Sequence, residues 1–141
     1  MVQTIEEYTG SDTTCTGTQQ YSVVFTASYV VGADITTPAG AKIIDATPSK
    51  VEVTIKTADQ VIGFNTISAC GKSDWAIDVA ADVTASDCNG DGSRMGDPIF
   101  DIYDVDGTTL KFGEKEADDT AKTAAKRPTA LSTKDDVYTK Q

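Results

Sequence analysis

Residues 99–112 read IFDIYDVDGTTLKF, and this stretch decides the fold class. Two runs rich in aromatic and aliphatic residues flank Asp106-Gly107. An Asp-Gly pair between two such runs is the strongest short-range signal for a β-hairpin. The sequence therefore predicts antiparallel strands at about 99–105 and 108–112, joined by a tight turn.

Three further runs, at residues 21–31, 51–57 and 75–84, alternate apolar and polar side chains. A period of two places alternate residues on the same face of a strand, so each run predicts a strand with one buried face. The side chains expected to point inward are Tyr21, Val23, Phe25, Tyr29, Val51, Val53, Ile55, Trp75, Ile77, Val79, Ala81 and Val83.

One helix is predicted, at about residues 58–70. Thr57 can cap its N-terminus, with Gln60 three residues later as in a capping box, and Gly71 is a natural stop. The apolar residues of this segment recur at helical spacing. They are Val61, Phe64 and Ile67.

These elements predict a mainly β fold, an antiparallel barrel or sandwich of about six to eight short strands with one mid-chain α-helix. A length of 141 residues fits a single domain, residues 1–141. The polar residues 1–20 are expected to form a loose N-terminal arm or an edge strand. Residues 114–128 are expected to form a polar loop.

The chain is strongly acidic, with 22 acidic residues against 12 basic ones and a formal net charge of −10. Such a surface repels the phosphates of nucleic acids and of anionic membranes, so we expect neither as a partner. No apolar stretch is long enough to cross a bilayer, so no membrane span is expected.

Three cysteines are present, Cys15, Cys70 and Cys88, and none belongs to a CxxC motif. Because the chain also lacks histidine, the usual zinc ligand sets are missing. Cys70 and Cys88 flank one predicted strand, and we predict a disulfide between them. Cys15 is then buried, pairs between chains, or displaces one member of this bridge. A cytosolic domain with free thiols is the alternative.

Polar sequence follows Met1 directly, without the apolar stretch of a secretory signal peptide. Either the protein is intracellular, or a leader has been removed. The predicted disulfide favours the second alternative, because disulfides persist in oxidising compartments. We therefore expect an extracellular or cell-surface protein.

Residues 87–93 read DCNGDGS and match the first half of a calcium-binding loop, D-x-[DN]-x-[DN]-G. The spaced Asp and Asn side chains place hard oxygen ligands around one point. Position 12 is Pro98 instead of a bidentate glutamate, so a neighbouring acid would have to substitute. The alternative is a metal-free turn, which Gly, Asp and Asn also favour. The predicted calcium ligands are Asp87, Asn89, Asp91, Ser93 and Asp97.

Catalytic motifs are missing. Without histidine, neither a Ser–His nor a Cys–His pair can be built. The sequence contains no G-x-S-x-G elbow, phosphate-binding glycine loop or dinucleotide fingerprint. Paired carboxylates remain possible, as in glycosidases, but chance pairs are expected in so acidic a chain. We therefore expect no enzyme.

Continued to Gly113, the hairpin resembles the Y-x-x-x-G-x-x-L-x-F/L-G hairpin of calycin-type, lipocalin-like barrels, through Tyr103, Gly107, Leu110 and Phe112. The resemblance implies a barrel whose interior binds a small apolar ligand. Two features depart from that family. No G-x-W stands near the N-terminus, and the predicted helix lies mid-chain instead of after the last strand.

Two classes of function follow. The first is a non-catalytic extracellular binding domain for a small molecule or a glycan, which requires a cavity or cleft lined by aromatic residues. The second is a structural or assembly subunit, such as a filament or adhesin component, which can be stabilised by calcium. The second class requires a filled core and self-association, through the N-terminal arm or Cys15.

Overall fold

The computed structural model describes residues 2–9, 16–114, 123–133 and 137–139. Within these ranges the chain forms seven β-strands and one α-helix, which confirms a mainly β fold with a mid-chain helix. Two strands are much longer than expected, with 16 and 14 residues. The elements are β1 (Val2–Tyr8), β2 (Gln19–Asp34), β3 (Lys42–Ile55), α1 (Ala58–Thr66), β4 (Ala80–Asp82), β5 (Ile99–Asp106), β6 (Thr109–Phe112) and β7 (Val137–Thr139).

All seven strands belong to one sheet, with the order β1-β2-β3-β5-β6-β7 and β4 paired to β3. The strand ladders β1–β2, β3–β4, β3–β5, β5–β6 and β6–β7 are antiparallel, as predicted. One antiparallel sheet is compatible with a barrel-like fold, and the choice between a barrel and a sandwich stays a prediction.

The chain groups into two compact units, and β2 and β3 contribute residues to both. The first unit contains Met1–Ala27 and Pro48–Asp97, and the second contains Ser28–Thr47 and Pro98–Gln141. The single domain over residues 1–141 stays a prediction.

The N-terminal segment forms an edge strand, one of the two alternatives expected for it. Strand β1 pairs with β2 from Val2 opposite Thr26 to Tyr8 opposite Gln19. Cys15 and most of the predicted loop, residues 115–122, lie outside the described residues. Because Cys70 and Cys88 are bonded to each other, two alternatives stay open for Cys15, namely burial and pairing between chains.

The core of the first unit is built on the alternation of β3. Val51, Val53 and Ile55 are 0%, 5% and 0% exposed, as their period of two predicts. Side chains from β2 pack against them, namely Tyr21, Val23 and Phe25. Tyr29 does not share this burial. It is 52% exposed and lies on the part of β2 that belongs to the second unit.

Helix α1 begins where predicted but ends early. The Thr57 hydroxyl accepts a hydrogen bond from the Gln60 backbone N–H, whereas the Gln60 side chain bonds to Gln20 instead of completing the capping box. The helix ends at Thr66, because Ser68 and Cys70 adopt left-handed backbone conformations. Ile67 therefore lies beyond the helix and is exposed.

The predicted strand at 75–84 is wrong over its first half. Only Ala80–Asp82 pairs as a strand with β3. Asp78 has a φ of 57°, which breaks the extended conformation and turns Ile77 and Val79 outward. Trp75, by contrast, is buried as predicted.

The predicted hairpin is confirmed in the second unit, with its turn displaced by one residue. Asp106 pairs with Thr109, so the two loop residues are Gly107 and Thr108. Gly107 has a φ of 58° at the first loop position, where two-residue hairpins favour glycine. Ile102, in β5, is completely buried.

Arg127 fastens residues 123–133 to the sheet of the second unit. Its guanidinium lies 2.6 Å from the Asp45 carboxylate and donates hydrogen bonds to the Ile44 and Asp101 carbonyls. It also lies over the ring of Phe100, 5.6 Å from the centroid. A largely buried cation thus serves as the anchor here.

Candidate functional site

A cleft of about 330 Å³ opens in the first unit, along the segment that connects α1 to β4. It forms where the chain departs from the predicted strand at Asp78, so the alternating pattern concealed it. Small apolar side chains and three charged ones surround it. The lining residues are Lys72, Asp74, Trp75, Ala76, Val79, Ala80, Ala81 and Asp82.

Trp75 is held in place in the wall of the cleft by hydrogen bonds and by ring packing. The Asn65 side chain bonds to both backbone groups of Trp75, accepting from its N–H at 2.8 Å and donating to its carbonyl at 3.1 Å. The indole N–H donates to the Ala69 carbonyl, and the ring meets Phe64 edge-on at 5.4 Å. Because both its backbone and its ring are held, this wall of the cleft is preorganised.

The turn at Asp78 divides the lining residues of the cleft into those that precede it in the chain and those that follow it. The Asp78 N–H donates to the Ile55 carbonyl, and its carboxylate lies 2.9 Å from the Lys56 ammonium. One residue later, the Val79 N–H donates to the Ala76 carbonyl at 3.4 Å. These bonds hold the turn against β3 and leave Val79 exposed to solvent.

Two carboxylates of the lining have lowered pKa values. The Lys72 ammonium bonds to Asp74 and holds the pKa of that carboxyl below its ordinary value. The Thr84 hydroxyl and N–H both donate to Asp82 and lower its pKa in the same way. Both groups are therefore ionised at neutral pH and act as hydrogen-bond acceptors.

Thr84 connects Asp82 to the core. Its hydroxyl oxygen accepts a hydrogen bond from the N–H of the buried Val51 while donating its own proton to Asp82. The Thr84 carbonyl accepts from Gly96, whose close approach leaves no room for a Cβ atom. Asp82, at the rim of the cleft, is consequently connected through Thr84 to strand β3.

The predicted disulfide between Cys70 and Cys88 is present, across a separation of 18 residues. It closes a covalent loop that contains every lining residue of the cleft. Closing a loop of this length stabilises the folded state by about 3 kcal/mol through the entropy of the unfolded chain.

The predicted calcium loop is built from the turns that its residues favour. The two carboxylate oxygens of Asp87 accept hydrogen bonds from the N–H groups of Gly90 and Gly92, at 2.7 and 2.8 Å. Asn89, which precedes both of these glycines, is exposed.

The remaining predicted calcium ligands also take part in local contacts. Asp91 accepts from the N–H and hydroxyl of Ser93, and Asp97 accepts from the Arg94 N–H. Among the residues that the structure describes, no group of three or more acidic or cysteine side chains forms a metal-binding cluster. Calcium binding at this loop stays a prediction.

No protein-family model matches the chain, and no curated protein matches it. The resemblance to lipocalin-like barrels is therefore limited to the hairpin and a compatible sheet. No helix in the described part of the chain has the length and apolar character needed to cross a membrane.

Proposed function

We propose that this protein is a non-catalytic extracellular domain that binds a small polyhydroxylated ligand, such as a glycan, in the cleft at residues 72–82. The observation that carries the proposal is the composition of the cleft, in which small apolar side chains lie beside two ionised carboxylates. A sugar ring presents this combination, with apolar C–H faces and a rim of hydroxyl groups.

The chemistry of the lining favours a neutral ligand over an anion. Asp74 and Asp82 accept hydrogen bonds from hydroxyl groups but repel phosphate or carboxylate. The one lining cation, Lys72, is paired with Asp74. Ala76 and Val79 offer apolar contact to a ring face. A cleft of about 330 Å³ lies at the small end of ligand pockets, which suits one or two sugar rings.

The extracellular location rests on the disulfide. Disulfides persist in oxidising compartments and are rare in the cytosol, and this one closes the loop that carries the cleft. The resemblance to lipocalin-like barrels offers a second location for a ligand, the interior of a barrel, with an apolar molecule as occupant.

Saturation-transfer NMR with a panel of neutral monosaccharides and disaccharides tests the proposal. We expect a signal for the native protein and its loss in Val79→Arg, which fills the cleft from an exposed position. Val105→Arg is the matched control, because Val105 is equally exposed and lies in the second unit. It should keep the signal.

Two outcomes count against the cleft. Absence of a signal with every sugar overturns the glycan proposal. A signal that survives Val79→Arg moves the ligand to another place, and competition by an apolar fatty acid would then favour the interior of a lipocalin-like barrel.

The second candidate function is an assembly subunit. The feature that favours it is the exposed second half of β2, where residues 28–34 lie open to solvent.

A further inference from the structure

The chain contains two asparagines, Asn65 and Asn89, and their side chains have opposite surroundings. Asn65 belongs to α1, and its side-chain amide bonds at both ends to the backbone of Trp75. Asn89 lies in the loop of residues 87–97 and is exposed. Within the described part of the chain, no hydrogen bond occupies the Asn89 amide. This side chain is therefore able to turn toward its own backbone.

The residue that follows Asn89 leaves room for such a movement. An asparagine side chain reaches the backbone nitrogen of the next residue by closing a five-membered ring, and this closure is intramolecular and favoured by proximity. Gly90 has no side chain to crowd the ring, has a φ of 72°, and has no atom beyond its chain neighbours within 4 Å of the place where a Cβ would stand. Asn65, by contrast, precedes the β-branched Thr66.

The Asp87 carboxylate lies against the proton that this ring closure must remove. One of its oxygens accepts a hydrogen bond from the Gly90 N–H at 2.7 Å, and the other accepts from the Gly92 N–H at 2.8 Å. A general base must lie within about 2.6–3.2 Å of the atom whose proton it takes. Asp87 meets this requirement at the Gly90 nitrogen, and its second hydrogen bond fixes the orientation of the carboxylate.

We propose that Asn89–Gly90 is a site of spontaneous covalent modification, at which the asparagine deamidates through a succinimide. The Gly90 nitrogen forms a bond to the side-chain carbonyl carbon of Asn89, and its proton passes to Asp87. The bond from that carbon to the side-chain nitrogen then breaks, and the leaving group takes the proton from Asp87 and departs as ammonia. Water opens the ring at either carbonyl, which gives isoaspartate or aspartate at position 89. The proposal does not depend on what the cleft binds.

The isoaspartate product changes the backbone of this loop. Its main chain runs through the former side chain, which inserts an extra methylene group before Gly90. The Gly90 and Gly92 N–H groups share the carboxylate of Asp87, so the longer backbone does not keep both hydrogen bonds in place. The aspartate product keeps the backbone and adds one negative charge to the −10 of the chain. Because the residues concerned are exposed, the core of the first unit should remain folded after the reaction.

Peptide mapping by mass spectrometry over a time course at physiological temperature and neutral pH tests the proposal on the full chain. EDTA in the buffer keeps calcium out of the predicted loop. Deamidation raises the mass of a peptide, and its isoaspartate and aspartate forms separate by chromatography. We expect position 89 to convert, with isoaspartate among the products, and Asn65 to convert about tenfold or more slowly, because its amide is held by Trp75. Equal conversion of the two asparagines, or none at position 89, overturns the proposal.

Gly90→Ala tests the route through the ring. Alanine crowds the ring and disfavours the positive φ of this position, so conversion at position 89 should slow by about tenfold or more. Gly71→Ala is the matched control, because Gly71 has a φ of 73° and equally open surroundings but follows no asparagine. It should convert as the native protein does. An unchanged rate in Gly90→Ala, or products without isoaspartate, overturns the succinimide route.

Asp87→Ser tests the general base. Serine still accepts hydrogen bonds from the backbone of a turn, more weakly than aspartate, but it does not take up a proton at neutral pH. Conversion at position 89 should therefore slow by about tenfold or more. Asp59→Ser removes the same charge from an exposed position in α1 and should convert as the native protein does. A rate in Asp87→Ser equal to or above the native rate overturns the role of Asp87. Thermal melts of all variants establish that they are folded.

Discussion

The two compact units of this chain differ in the contacts that stabilise each of them internally. The first unit buries a cluster of aliphatic and aromatic side chains around Val51, Ile55 and Trp75 and closes it with a disulfide. The second unit has Ile102 as its largest fully buried side chain among the residues described, and relies on a hairpin and on Arg127. Among the described residues, the buried cluster and the disulfide distinguish the first unit, and the contacts of Arg127 distinguish the second.

Removing buried volume from the first unit should have the largest effect. Ile55→Ala leaves a cavity at a completely buried position and should cost about 2–5 kcal/mol of unfolding free energy. Denaturant unfolding measures it. The control Ile62→Ala, at an exposed position in α1, should change the stability by less than about 0.5 kcal/mol. Equal effects of the two variants would contradict the core described for this unit.

The disulfide should have the next largest effect. The double variant Cys70→Ser, Cys88→Ser should lose about 3 kcal/mol, because the unfolded chain regains the entropy of an open loop. Intact mass before and after reduction first verifies the bridge through the gain of two hydrogens. A native protein whose mass does not change on reduction, or whose melting temperature is insensitive to it, would refute this contribution.

Loss of the polar anchor should weaken the second unit. Arg127→Met removes hydrogen bonds to two carbonyls and the ion pair with Asp45, which should cost about 2 kcal/mol. Arg94→Met is the control, because Arg94 is exposed. Hydrogen exchange should show faster exchange at β5 residues such as Ile102 in Arg127→Met. Unchanged exchange there would show that the anchor contributes nothing.

Calcium at the Asp87–Asp97 loop should have a smaller effect on the first unit. For a dissociation constant near 1 mM, as in extracellular modules, 10 mM calcium should stabilise the fold by about 1.4 kcal/mol. Thermal melts in calcium and in EDTA measure this shift, and Asp91→Asn should reduce it. A melting temperature that does not depend on calcium rules out a site of this affinity.

The smallest effect should come from the charge of Asp82. Because its folded-state pKa is lowered by Thr84, Asp82 stabilises the fold above its unfolded pKa of about 3.9, and this contribution disappears as pH falls through the folded value. Asp82→Asn should therefore lower the melting temperature at pH 6 and match the native protein near pH 2. In a Thr84→Ala background the difference at pH 6 should shrink, and an undiminished difference would assign it to another partner.

Much of the first unit could be predicted from neighbouring residues. The alternation of residues 51–55, the Thr57 cap and the Cys70–Cys88 pairing all follow from short spacings and appear in the structure. The strand predicted at 75–84 failed, because its pattern of side chains does not reveal that Asp78 takes a left-handed conformation. The cleft arises at that point, so sequence periodicity concealed the candidate site. The local signal of it is Asp78 itself, because Asp adopts the left-handed conformation more readily than most residues.

The sequence by itself determined the β-rich class, the hairpin, the helix start and the disulfide, because each depends on residues close together in the chain or on a pair of cysteines. Tertiary structure decided how long each strand and helix is and which distant residues contact it. Arg127 bonds to the Ile44 carbonyl across 83 residues, and Asn65 holds the backbone of Trp75. Such contacts produce no periodic pattern in the sequence. A polar side chain is predicted to be exposed unless the tertiary structure shows which distant group it bonds to.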